Sequence, residues 1–112
     1  MIRIRALFAL LGLTLATPLQ AQATDFVLVN GTDQALGNLE IRRTGSSEWQ
    51  PLGAAPARGA QSSIAFSNPD CAFDIKAAPA SGEAIVWSGV NLCEVNAVTL
   101  KLVAGTPFAE YR

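Results

Sequence analysis

CAFDIKAAPASGEAIVWSGVNLC, residues 71–93, is the stretch from which the fold of this chain is read. Residues 71–77 alternate: Cys71, Phe73, Ile75 and Ala77 fall on one face and Asp74 and Lys76 on the other, the period of two that a half-buried strand shows. Pro79-Ala80-Ser81-Gly82 supplies turn chemistry, and 83–87 reads as the return strand of a hairpin. If Ala78 faces Glu83, Trp87 falls opposite Asp74 and Val90 opposite Cys71, with Cys93 shortly beyond. A disulfide needs that proximity, because its two Cα atoms must approach to roughly 4.4–6.8 Å.

The same period extends in both directions. Upstream, Phe26, Leu28 and Asn30 alternate with Asp25, Val27 and Val29, a strand ending at Asn30-Gly31, a dipeptide suited to positive backbone angles. Leu36, Leu39 and Ile41 mark a second strand over 36–43, with Glu40 and Arg42 facing water, and a turn follows over 44–47. Pro51 between Trp49 and Leu52 suits an edge or an irregular crossing. Residues 53–60 read as a loop with a turn at Arg58-Gly59, 61–66 as a strand burying Ile64 and Phe66, and 67–70 as a turn. Downstream, 95–103 alternates as a last strand, and 104–112 is a tail whose Phe108 and Tyr111 either dock on the core or stay free. Six or seven short strands and no helix of ordinary length predict an all-β domain, a small antiparallel β-sandwich with an open β-barrel as the alternative.

The amino terminus has a different character. Arg3 and Arg5 precede an apolar stretch over 6–16, Pro18 ends it, and Ala21-Gln22-Ala23 offers the small-x-small pattern of a signal-peptidase site. The reading is a signal peptide over 1–23, cut after Ala23 or alternatively after Ala21, followed by a single β domain over 24–112. The apolar stretch is short of the roughly 20 residues that span a bilayer, and no second one follows, so the mature chain is expected without a membrane span, periplasmic or secreted. In an oxidising compartment the two cysteines, Cys71 and Cys93, are expected to pair.

Composition narrows the chemistry. The chain holds eight Lys and Arg against nine Asp and Glu, and Arg3 and Arg5 leave with the leader, so no basic patch suited to nucleic acid remains. There is no His, which removes the Ser-His-Asp and Cys-His arrangements and the usual zinc sites. No catalytic residue, metal or cofactor is assigned. Carboxylate chemistry is the remaining enzymatic route, with Asp74 acting alongside Glu83 or Asp70, against the plainer reading of Asp74 as one partner of a surface ion pair. Asn68, Asp70 and Asp74 are too few oxygens for calcium and read as turn and strand residues. Asn30-Gly31-Thr32 has the form of a glycosylation acceptor but reads as a turn. Trp49 and Trp87 are the candidate binding residues, because exposed aromatics carry much of the energy at binding surfaces; core packing is the competing role. The expected partner is a protein or an envelope component. An inhibitor role would have to use the loop over 53–60. The sequence assigns no oligomeric state.

DFVLVN-G-T, Trp49, C-A-F-D-I-K, V-W-S-G-V-N-L-C and the closing V-T-L, in that order, resemble a family of small exported bacterial proteins of uncharacterised function. That family is patterned around F-x-L-x-N, a C-x-[FY]-D-[IL]-K strand and a W-x-G-x-[ND]-L-C segment. The resemblance spans nearly the whole of 24–112, and the spacing of Cys71, Asp74, Trp87 and Cys93 is its most specific part. It implies a periplasmic β-rich protein and carries over no functional residue.

Overall fold

The computed structural model describes residues 21–112; of the expected signal peptide, residues 1–20 lie outside the described part. The described residues form eight strands and no helix: β1 (Phe26–Asn30), β2 (Asn38–Arg43), β3 (Gln50–Ala54), β4 (Gln61–Ile64), β5 (Ala72–Ala77), β6 (Ile85–Asn91), β7 (Ala97–Val103) and β8 (Thr106–Tyr111). They assemble into two four-stranded sheets, ordered β4-β1-β7-β8 and β3-β2-β5-β6. The two sheets share no hydrogen-bonded strand pair, so the architecture is a β-sandwich and the open-barrel alternative is set aside.

Each sheet turns one apolar face inward. Phe26 and Leu28 of β1, Val98 and Leu100 of β7 and Ile64 of β4 meet Leu39 and Ile41 of β2, Phe73 and Ile75 of β5, and Trp87 and Val90 of β6. Burial of these alternate positions is what makes period two legible, since every second residue leaves water and the others stay in it. Phe66, just past β4, fills the gap edge-on between Phe26 and Phe73, with ring centroids 6.2 and 5.1 Å away, the offset geometry that aromatic quadrupoles favour.

Four features depart from the expectation. First, there are eight strands: residues 106–111, expected as a tail, form β8, which pairs with β7 from Val103↔Thr106 to Val98↔Tyr111. The turn is Ala104-Gly105, both at positive φ (51° and 81°), the pairing that two-residue hairpin turns require. Second, β1 runs parallel to β7, so the first sheet is mixed rather than purely antiparallel.

Third, the β5–β6 register is displaced. Ile75, not Asp74, faces Trp87, and Phe73 faces Val90, while Leu92 N–H donates to the Cys71 carbonyl at 2.9 Å. Between those pairs Asp74 stands opposite both Ser88 and Gly89, a β-bulge in which Gly89 takes φ +64°, a conformation that costs glycine little. The return strand therefore continues well past Trp87. Its displacement brings Cys93 to Cys71, and the disulfide forms with a Cα–Cα separation of 5.1 Å.

Fourth, Gly31 does not adopt positive φ. Its need is for space: a Cβ there would lie 2.6 Å from Thr99 Cγ2, because Gly31 N–H donates to the Leu100 carbonyl at 2.9 Å and holds the chain against β7. Asn30 is fully buried. Its amide donates to the carbonyls of Gln34 and Pro56 at 2.9 and 3.2 Å, and its oxygen accepts from the N–H and hydroxyl of Thr32 at 3.1 and 2.6 Å. The Asn-Gly-Thr triplet is thus an internal loop anchor, and its amide nitrogen has no free face for a sugar.

Candidate functional site

The outward face of the sheet β3-β2-β5-β6 carries most of the protein's charged side chains that face each other across strands. Register places Glu40 opposite Lys76 and Arg42 opposite Asp74, and both pairs close, at 3.5 and 2.9 Å. Trp49, immediately before β3, lies against both cations: the Arg42 guanidinium carbon is 4.3 Å and the Lys76 ammonium 4.2 Å from its ring centroid. Such cation–π contacts hold an aromatic ring flat against a sheet. Trp49 is half-buried in consequence.

Asp74 is the unusual member. It sits on the outward face, yet its side chain is only 5% exposed. Its oxygens accept from Arg42 Nε at 2.9 Å, the Thr44 hydroxyl at 2.8 Å and Gly89 N–H at 2.9 Å. Burial pushes its pKa up, but the Gly89 N–H, the Arg42 side chain and the Thr44 hydroxyl together outweigh burial and hold the carboxyl below its ordinary value. A carboxylate so held stays ionised at neutral pH and already accepts from three donors, which suits a structural tie between β2 and the β6 bulge better than proton transfer to a substrate. The ion-pair partner of Asp74 is Arg42 of β2 rather than its own strand's Lys76, and Thr44 of the turn after β2 adds a hydroxyl donor.

Trp87 is not at the surface. It is 1% exposed, and its indole N–H donates to the Lys101 carbonyl of β7 at 3.0 Å, joining the two sheets through the core. The displaced register is the reason, since a slip of one residue turns a side chain to the opposite face of the sheet. Of the two tryptophans named as binding candidates, only Trp49 reaches solvent.

A cleft of about 230 Å³ opens between the turn after β2 and the loop after β4; Trp49 is not among its lining residues, because it packs on the outward face over Arg42 and Lys76. Ile41, Phe66 and Phe73 form its apolar lining, and Arg42, Arg43, Ser46, Glu48, Gln50, Asn68 and Asp70 its polar one. Glu48 and Gln50 flank Trp49 in sequence. Arg43 Nε and Asp70 approach to 3.5 Å, with side chains 61% and 50% exposed, so this pair adds little stability and exchanges readily with another charged group. Asn68 is spent on its own turn, its side-chain oxygen accepting from Asp70 N–H at 2.8 Å; Asn68, Asp70 and Asp74 thus have separate partners and do not converge. A second, open depression of about 490 Å³ lies beside the disulfide, between Cys71, Cys93, Glu94 and Tyr111.

Sequence reasoning missed Phe66 and Arg43 as cleft residues and Arg42 as the partner of Asp74. A signal for the last was available: Glu40 and Arg42 on one strand and Asp74 and Lys76 on another have opposite charges in the order that antiparallel pairing brings together. Nothing in the sequence announced the cleft, whose lining comes from three strands and two loops that only the fold brings together.

No family model matches the chain, and no curated protein matches it. Among solved structures the chain is similar to the NMR structure of a protein from Eubacterium rectale, with a TM-score of 0.58 and 15% identity over 80% of this chain and 87% of that one. At that identity the likeness speaks for the fold alone.

Proposed function

We propose that the chain is an exported, non-enzymatic β-sandwich that binds a protein or envelope component through the open side of the sandwich. The observation that carries this reading is the cleft lined by both sequence neighbours of Trp49, where an apolar lining from Phe66 and Phe73 meets a charged rim that carries the exchangeable Arg43–Asp70 pair. An aromatic platform next to an apolar recess with polar groups around it is the usual layout of a binding surface. Export is supported by the leader pattern, by the disulfide and by the resemblance to exported bacterial proteins. No helix of the described residues is long and apolar enough to cross a membrane.

The test is affinity capture from envelope extract followed by titration of the identified partner. Trp49→Ala and Arg43→Glu should each weaken binding about tenfold or more. Phe108→Ala, on the outward face of the other sheet, should leave binding unchanged. If Trp49→Ala and Arg43→Glu bind like the parent chain, the open side is not the binding surface.

A further inference from the structure

The fold begins before the point at which the small-x-small pattern would end the leader. Ala23 is fully buried and belongs to the core cluster. Its N–H donates to the Asn68 carbonyl at 2.8 Å, and its carbonyl accepts from Asn68 N–H at 3.1 Å. On its other side it stands in antiparallel register with Cys93. Two residues on, the Asp25 carboxylate accepts from Phe66 N–H at 2.8 Å. Residues 23–25 therefore prolong β1 toward the disulfide and stitch the loop after β4 to the loop after β6.

We infer that the mature chain keeps Ala23, and that processing falls no later than the Ala21–Gln22 bond. The inference rests on the export reading. Cutting after Ala23 would remove a buried methyl group, leave both backbone groups of Asn68 without their partner and place a charged amine on Thr24 beside the vacated position. Cutting after Ala21 does none of this: Ala21 and Gln22 are both exposed, and Ala21 puts a small side chain next to the bond, with Leu19 in place of the second small residue of the pattern. If the chain folds before it is processed, the Ala23–Thr24 bond is sheltered by its pairing with Asn68. If it is processed first, a chain starting at Thr24 folds without the tie.

The experiment is to express the full chain in a bacterium with an intact export pathway and read the amino terminus of the product by mass spectrometry. The expected start is Gln22, as the free amine or as the cyclised form in which that amine has displaced the side-chain nitrogen as ammonia. Any upstream start that retains Ala23 after loss of the leader also supports the inference. A start at Thr24 overturns it while leaving export intact. A product that still carries its leader overturns the export reading itself, and the inference with it. Chains made to begin at Gln22 and at Thr24, oxidised and compared by thermal melting, give a second measure: the Thr24 chain should melt roughly 10 °C lower, and equal melting temperatures would overturn the role given to Ala23.

Discussion

The two long sides of the sandwich are built differently from the same kinds of strand. On the side of β6 and β8 the sheets are sewn together by polar groups that reach across: the Trp87 indole donates to the Lys101 carbonyl, and Asn91 N–H donates to the Tyr111 hydroxyl at 3.0 Å. On the side of β3 and β4 the strands are short and irregular. β3 contains Pro51 and Gly53 at φ +113° and slips register against β2 between Leu39 and Glu40, devices that blunt an edge against further pairing. One side spends its polar groups on closure; the other leaves them lining a cleft. Stability and recognition should therefore be separable by side.

The largest effect expected is on the closed side. Trp87→Ala removes a fully buried indole and leaves the Lys101 carbonyl facing a cavity, a loss of about 4 kcal/mol by the behaviour of large-to-small core substitutions. Chemical denaturation measures it. A loss below about 1 kcal/mol would mean that the sheets hold together without this wedge, and the contrast between the sides would collapse.

How far this contrast could be seen in advance depended on register. β1, β2, β5 and β7 were legible because each buries alternate residues, and the disulfide was legible because two cysteines in an oxidising compartment pair by default. Trp49 and Trp87 could not be told apart. The face of Trp87 depends on a single-residue bulge, and Gly89 in the sequence looks the same whether it continues a strand or kinks it. β8 was obscured because Ala104 at positive φ is not a residue that announces a hairpin, and because Pro107 interrupts the alternation. The cleft was the least visible, since its lining is drawn from three strands and two loops distant in sequence and not from any local pattern.

The disulfide provides the next test. It ties the residue before β5 to the loop after β6, close to Tyr111, at the end of the closed side. Replacing both Cys71 and Cys93 by Ala should cost about 3 kcal/mol in the chain-entropy model for a loop of this length. The bridge also borders the cleft, since Asp70 on the rim precedes Cys71 and its carbonyl lies 3.6 Å from Cys93 Sγ, so the molecules that remain folded should bind a partner somewhat more weakly. Unchanged affinity of the folded molecules would show that the rim is held by the strands alone.

The smallest effect sharpens the contrast most, because Asp74 anchors the one residue shared by the ion-pair ladder and the cleft. Arg42 lines the cleft and is held by the Asp74 carboxylate. Asp74→Asn keeps the shape but sets an amide against three donors, so at least one of Arg42, Thr44 and Gly89 N–H loses its acceptor, at a cost of about 2 kcal/mol. The pH dependence identifies the cause. The folded carboxyl titrates below its ordinary value of 3.8, so its contribution to stability is present above that value and is lost as pH falls through the lower, folded one. Acid unfolding followed at pH 2–5 should therefore show a steeper loss in the parent chain than in Asp74→Asn. Parallel curves would mean that the tie is not electrostatic. Because the substitution also frees Arg42, partner affinity should change while Trp87 and the disulfide keep the closed side intact, so a variant only modestly destabilised can still be altered in recognition.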